Sequence, residues 1–118
     1  MNKPTETSKA APGDILEESP ITIDSRVTDY VKKERARGQR GLLRVQVEPD
    51  STGDNLQFRM GWDEPTREDF GINIGQGEQI LMDGLTLAFM YDSYCIIMLN
   101  GRMEIARQGE TTPIRSIT

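Results

Sequence analysis

The chain has 118 residues, which is enough for one compact domain, and its formal net charge is −5, with 14 Lys and Arg against 19 Asp and Glu. An acidic balance of this kind argues against non-specific attraction to phosphate backbones or anionic lipid. Histidine is absent and there is a single cysteine, Cys95, which excludes His-dependent catalysis, an intrachain disulfide and a CxxC metal or redox motif. A lone cysteine also fits a reducing compartment.

The amino-terminal segment is polar. Residues 1–19 are rich in Thr, Ser, Pro, Glu and Lys, and their only apolar pair is Ile15-Leu16. We therefore predict a disordered leader over 1–19, a folded domain over 20–107 and a flexible tail over 108–118, because both ends offer too little apolar surface to offset the entropy of ordering them. The sequence shows no signal-peptide pattern and no run of about 18 apolar residues, so we expect a cytoplasmic protein with no membrane partner.

The first predicted helix covers residues 26–37. A short apolar alternation at 21–23 predicts a strand before it, and Asp24-Ser25 supplies residue types that favour a helix N-cap. Gly38 and Gly41 are expected to end the helix, since glycine readily adopts the left-handed conformation of a C-cap. The apolar stripe of this helix, at helical spacing, consists of Val27, Tyr30 and Val31.

Apolar residues at every second position predict four strands after this helix. The first strand is expected at 43–47, a turn at 49–55 and a return strand at 56–62 whose apolar residues share one face. Two further strands are expected at 70–74 and 80–82, joined by a glycine-rich turn. These segments predict a sheet that contains at least one hairpin.

A second helix and a last hairpin are predicted near the end of the domain. Asp83 is a suitable N-cap for one or two helical turns, whose apolar face would be Leu87, Met90 and Tyr91. The dipeptide Asn100-Gly101 suits a type I′ turn between two apolar runs. The predicted fold class is α+β, mostly β, with one N-terminal helix and a second short helix.

Several segments carry a resemblance to a known family. They are ITIDSRVTDYVKKERARGQRGLLRV at 21–45, FRMGWDEP at 58–65, ILMDGLTLAFMYDSYCII at 80–97 and CIIMLNGRMEIA at 95–106. In their order and spacing they resemble the HesB/IscA-like family, the A-type carriers of iron–sulfur cluster biogenesis. The resemblance implies that the strands form the family's β-sandwich of short strands.

The cysteines with which that family holds its cluster are missing. Carriers have one cysteine in the loop after the second strand and a Cys-Gly-Cys pair near the C-terminus, because thiolates bind iron and sulfide. The matching positions here, near Gly53 and after Arg107, contain none, and Cys95 falls where a small buried apolar residue is expected. The segment at 58–70 is similar to a cysteine-lacking branch of the family that is encoded among sulfur-oxidation genes. We therefore expect no cofactor and no bound metal.

These observations predict a non-catalytic binding protein. The resemblance implies an accessory or regulatory role in iron–sulfur cluster assembly or sulfur metabolism, with a protein partner whose identity the sequence does not give; the oligomeric state is equally open. A cationic cluster on an acidic chain would steer an anionic partner, although a solvated helix face is the alternative interpretation. The candidate partner-binding residues are Lys32, Lys33, Arg35, Arg37 and Arg40.

Other functions stay open. RNA binding would use the same basic end of the first helix, and an enzyme is disfavoured because no nucleophile–base pair is apparent and the glycine-rich segment 71–77 lacks the P-loop lysine. Iron or another metal would need oxygen ligands, although acidic residues in turns are usually only solvated. The carboxylates available for such a site are Asp50, Asp54, Asp63, Glu64, Glu68 and Asp69.

Overall fold

A computed structural model describes residues 11–114 and 116–117 of the chain. Strands and helices alternate irregularly along these residues, and strands predominate. In chain order they are β1 (Ile15–Leu16), α1 (Arg26–Ala36), β2 (Leu42–Pro49), β3 (Leu56–Asp63), β4 (Asp69–Gly75), β5 (Glu78–Asp83), α2 (Gly84–Met90), β6 (Tyr94–Leu99), β7 (Arg102–Arg107) and β8 (Ser116–Ile117). The predicted α+β class, mostly strands with an N-terminal helix and a second short helix, is confirmed.

One mixed sheet and one hairpin make up the strand structure. The sheet has the order β1-β4-β5-β2-β3-β8, and β6 and β7 form the separate hairpin. The pairs β1–β4 and β2–β5 are parallel, whereas the other neighbours are antiparallel. Neither helix in the described ranges has the length and apolarity that a membrane crossing requires.

The core lies between the sheet on one side and the helices with the hairpin on the other. The sheet, the two helices and the hairpin all contribute apolar side chains to one cluster of buried residues. Its members include Val27 and Val31 of α1, Leu43, Val45, Ile72, Ile80 and Met82 of the sheet, Met90 of α2, and Tyr94, Ile96, Met103 and Ile105 of the hairpin.

Helix α1 is attached to the hairpin at its first turn. Asp24 accepts hydrogen bonds from the backbone N–H of Arg26 at 2.9 Å and of Met98 at 3.3 Å, whereas the N-cap residue Ser25 makes no side-chain cap bond. Hydrogen bonds from Arg26 hold the pKa of Asp24 well below its usual range. The strand predicted at 21–23 is reduced to one bridge between Ile23 and Ile96.

The predicted β2–β3 hairpin is confirmed, and its register places apolar residues of the two strands opposite each other. Val47 pairs with Phe58, Val45 with Met60 and Leu43 with Trp62, so the apolar faces of both strands point to the core. The loop before β2 is held tightly against the end of β3. Gly41 has a φ of +81°, and a Cβ atom there would lie 2.9 Å from the carbonyl oxygen of Asp63, so a larger residue is disfavoured.

Both local signals near the end of the domain are confirmed. Asp83 caps α2 by accepting a hydrogen bond from the N–H of Thr86 at 2.8 Å, and the turn residues Asn100 and Gly101 have φ values of 54° and 76°, as a type I′ turn requires. The interpretation of Tyr91 as part of the apolar face of α2 is wrong. Helix α2 ends at Met90, and Tyr91 is 55% exposed.

Sheet pairing reaches beyond the predicted domain boundaries at both ends. Strand β1 lies within the predicted leader 1–19 and pairs with β4, with Gly13 N–H donating to Asp69 O at 2.6 Å. At the other end, β8 lies within the predicted tail 108–118 and pairs with Leu56 and Gln57 of β3. Residues 1–10, 115 and 118 lie outside the described residues. Two apolar residues are enough to order β1 because the open edge of β4 supplies hydrogen-bond partners for the backbone of β1.

A buried ion pair fastens the outer face of the sheet. Arg44 alternates with the core residues Leu43 and Val45 along β2 but is only 5% exposed, and its two terminal nitrogens donate to the carboxylate of Asp69, each at 2.6 Å. Arg44 also donates to Asp63 at 2.9 Å and to the carbonyl of Glu64 at 3.1 Å. The hydrogen bonds that Arg44 donates to Asp69 hold the pKa of Asp69 below its usual value.

We expect Arg44→Met to lower the free energy of unfolding by about 3–5 kcal/mol, because Asp69 would remain buried without its cation. Since the pKa of Asp69 is lowered in the folded state, its contribution is present above the unfolded value of about 4 and is lost as pH falls below it. Wild type should therefore lose more stability than Arg44→Met on acidification. Urea unfolding at several pH values measures both effects.

The matched control is Arg67→Met, because Arg67 is exposed in the turn before β4. We expect that variant to change stability by less than about 0.5 kcal/mol. Equal stability of the two variants would contradict the role given to the ion pair.

Candidate partner-binding site

The five residues of the predicted basic cluster do not form one surface. Lys32 donates to the side chain of Gln76 in the β4–β5 turn, and Arg40 is exposed in the loop after α1. Lys33 and Arg37 lie one helical turn apart on another face of α1, where both line a cleft. The structure therefore brings together two of the five predicted residues.

Arg35 has a structural role. Its guanidinium donates to Glu78 at 2.8 and 3.4 Å and to the carbonyl oxygens of Gln39 at 3.0 Å and Gly41 at 2.6 Å. It also lies 5.7 Å from the ring centre of Trp62, within range of a cation–π contact. The hydrogen bond to Glu78 raises the pKa of Arg35. These contacts fix the loop between α1 and β2.

The helix cleft lies between α1 and the β6–β7 turn and has a volume of about 420 Å³. Arg37 forms an ion pair with Glu34 at 3.2 Å, and Arg26 donates to the carbonyl of Met98 at 3.2 Å. No carboxylate within the described ranges forms an ion pair with Lys33. The residues that line the helix cleft are Arg26, Asp29, Tyr30, Lys33, Glu34, Arg37, Met98, Asn100 and Gly101.

A second cavity, the strand cleft, lies between β3 and the start of β7 and has a volume of about 440 Å³. Tyr30 and Gly101 line both clefts, so the two meet beside the hairpin turn. Trp62 packs against the core cluster, and its partly exposed side chain also lines this cleft. The remaining lining residues are Leu43, Met60, Gly61, Arg102 and Met103.

Three of the six acidic residues considered as metal ligands have partners within the protein. Asp50 accepts hydrogen bonds from Thr52 and Gly53 in the β2–β3 turn, and Asp63 and Asp69 bind Arg44. Backbone and arginine hydrogen bonds to Asp63 lower its pKa. Across residues 11–114 and 116–117, no group of three or more acidic or cysteine side chains is placed to hold a metal ion.

The single thiol is inside the protein. Cys95 is 5% exposed, and its Sγ lies 3.5 Å from the carbonyl oxygen of Arg107 on the neighbouring strand. The prediction of a small buried core cysteine is confirmed.

The two clefts offer an apolar lining with a cationic rim. Tyr30, Met60 and Trp62 present aromatic and thioether groups, which are typical of protein-contact surfaces, and the charged groups stand around them. Sequence reasoning missed this site because Tyr30 and Trp62 occupy apolar positions in their elements, and periodicity alone does not separate core positions from a cleft lining. The half-polar character of Tyr and Trp is the signal that would have indicated a second role.

A scan of the chain against protein-family models found no match, and a search of curated proteins found no relative.

We expect Arg35→Ala to lower the free energy of unfolding by about 1–2 kcal/mol, because charge-assisted hydrogen bonds to Glu78 and two loop carbonyls are lost. Lys33→Ala and Arg37→Ala should each change it by less than about 0.5 kcal/mol, since exposed charges contribute little. Arg35 and Lys33 are both helix positions where alanine is favourable, so propensity cannot account for a difference between them. Thermal and urea unfolding measure the stability of the three variants. Equal stability of all three would contradict the assignment of a structural role to Arg35 and not to Lys33 or Arg37.

Proposed function

We propose that this chain is a non-catalytic protein-binding relative of the A-type carriers that acts as an accessory or regulator in iron–sulfur cluster assembly or sulfur metabolism. Support comes from the resemblance of the segments at 21–45, 58–65 and 80–106 to the family, in family order. The family's cluster-binding cysteines are absent from the matching positions, and the one thiol present is buried.

The observation that carries the binding role is the helix cleft. Lys33 and Arg37 project beside Tyr30 and Met98, so cationic and apolar groups share one concave surface. Such a mixture favours a protein partner, because apolar contacts supply affinity while charges orient the encounter. The contact surface proposed here therefore contains Lys33 and Arg37 of the predicted cluster, and Arg35 is left to its role in the loop.

RNA is the second candidate partner, since the end of α1 is locally basic in an acidic chain. Phosphate contacts need cations that are free to release counterions, and Arg35 and Arg37 already have carboxylate partners in Glu78 and Glu34. Asp29 and Glu34 would also repel phosphate within the helix cleft. These charges favour a protein partner over RNA.

We expect the double variant Lys33→Glu/Arg37→Glu to lose co-purification of the native partner from the source cells while its thermal stability stays nearly unchanged, because the reversed charges would repel the acidic surface that the wild type attracts. Affinity capture followed by identification of bound proteins is the measurement. The control, Lys32→Glu/Arg67→Glu, changes net charge equally but lies outside both clefts.

Two outcomes would count against the proposal. Equal capture by wild type and Lys33→Glu/Arg37→Glu would remove the helix cleft as the contact surface. Loss of capture from wild type after ribonuclease treatment would favour the RNA alternative.

We also expect the purified protein to take up no iron–sulfur cluster, because one buried thiol cannot supply the several thiolates that a cluster needs. Anaerobic incubation with iron and sulfide, followed by desalting and visible absorbance, tests this. A stoichiometric coloured product that survives desalting would contradict the expectation. Loss of that colour in Cys95→Ser would then point to a cluster bridged between two chains.

A further inference from the structure

The outer edge of β3 is only partly covered. On its inner side, all eight residues of β3 pair with β2. On its outer side, β8 pairs with Leu56 and Gln57 alone, and among the described residues no strand pairs with the outer edge from Phe58 to Asp63. An uncovered edge presents backbone N–H and C=O groups that are ready to bind another extended chain.

The carboxy-terminal segment shows how this edge accepts a strand. Pro113 forms a bridge with Ala106 of β7, and the N–H of Ile114 donates to Ile105 O at 2.7 Å, before Ser116–Ile117 pairs with β3. The segment thus crosses from the hairpin to the sheet at one end of the seam between β7 and β3. The strand cleft occupies the other end of this seam.

We propose that an extended segment of the partner protein binds in the strand cleft by adding to the outer edge of β3 at residues 60–62. This inference deepens the proposed function and rests on it, since it names the binding mode of the same partner. The segment would hydrogen-bond to β3 through alternate backbone groups, and every second side chain would enter the cleft against Leu43 and Met103.

The charges around the two clefts specify acidic residues in that segment. Among the basic side chains that line the clefts, Arg26 and Arg37 form ion pairs with Asp24 and Glu34. No carboxylate among the described residues forms an ion pair with Lys33 or Arg102, in a chain whose net charge is −5. Arg102 lines the strand cleft, and Lys33 lines the adjoining helix cleft. A peptide with apolar residues over the strand cleft and carboxylates toward α1 therefore matches the surface.

A single strand fits this position better than the sheet edge of a second copy. The hairpin turn at Gly101 and Arg102 borders the strand cleft on the side opposite Gly61. An edge strand of another copy would bring its own neighbouring strand with it, and that strand would clash with the hairpin turn. An isolated extended peptide has no second strand. The occupant is accordingly a segment of extended or disordered chain.

The experiment selects phage-displayed random peptides on the immobilised full-length chain. We expect enrichment of peptides in which apolar residues alternate with polar ones and acidic residues flank them, with at least tenfold weaker binding to Arg102→Glu than to the control Arg67→Glu. An enriched set without acidic residues, equal binding to both variants, or no enrichment at all would overturn the inference.

Backbone pairing is tested with the best selected peptide. Alternate residues of an extended peptide point their N–H groups to opposite edges, and we call the two alternating sets phases. N-methylation of one phase removes the hydrogen-bond donors along one edge of the peptide. Because only one phase faces β3, the two N-methylated peptides are controls for each other. Loss of binding confined to one phase, together with slower amide exchange within residues 60–62, is the expected result. Equal effects of the two phases, or protection elsewhere than β3, would exclude strand addition.

Failure of this inference is distinguishable from failure of the proposed function. If native-partner capture depends on Lys33 and Arg37 but no peptide adds to β3, the partner binds through the helix cleft by another mode. If capture is insensitive to those residues, the proposed function fails whatever the peptides do.

Discussion

The bidentate pair between Arg44 and Asp69 is the constraint on which the outer face of this sheet depends. It joins β2 to the start of β4, and the same arginine reaches the β3–β4 connection through Asp63 and the carbonyl of Glu64. The carbonyl of Asp69 then accepts the N–H of Gly13, which fixes the chain just before β1. Because Asp69 is buried and Arg44 is its only cation among the described residues, removal of Arg44 leaves a buried carboxylate without a charge partner.

Arginine side chains have two roles in this chain. The more buried ones hold parts of the fold together, and the exposed ones can contact a partner. Arg44 and Arg35 direct their guanidinium groups at carboxylates and backbone carbonyls, where the planar fork satisfies several acceptors at once. Arg37 is mostly exposed, and Arg102 is exposed at the mouth of the strand cleft. A count of basic residues in sequence therefore overstates the surface that is free for a partner. The proposed contact surface keeps only Lys33 and Arg37 of the predicted cluster and contains residues from outside it.

Local signals in the sequence predicted much of the fold, whereas long-range contacts account for what it missed. The alternation in β2 and β3, the cap at Asp83 and the turn at Asn100-Gly101 depend on neighbouring residues, and each is confirmed. The burial of Arg44 depends on the distant Asp69, and β1 depends on the edge of β4. The basic cluster was divided for a simpler reason: successive helix residues point about 100° apart, so adjacent lysines such as Lys32 and Lys33 face different neighbours.

The proposed binding surface follows from the way the sheet and the hairpin meet. Strands β3 and β7 do not pair with each other, and the segment that ends in β8 closes only one end of the seam between them. The tight turn at Asn100-Gly101 limits the length of the hairpin and sets the border of both clefts. Backbone groups along β3 and a few cations can recognise an extended acidic chain without a reactive side chain. A fold of this kind can therefore support partner binding without the thiolates that cluster binding requires.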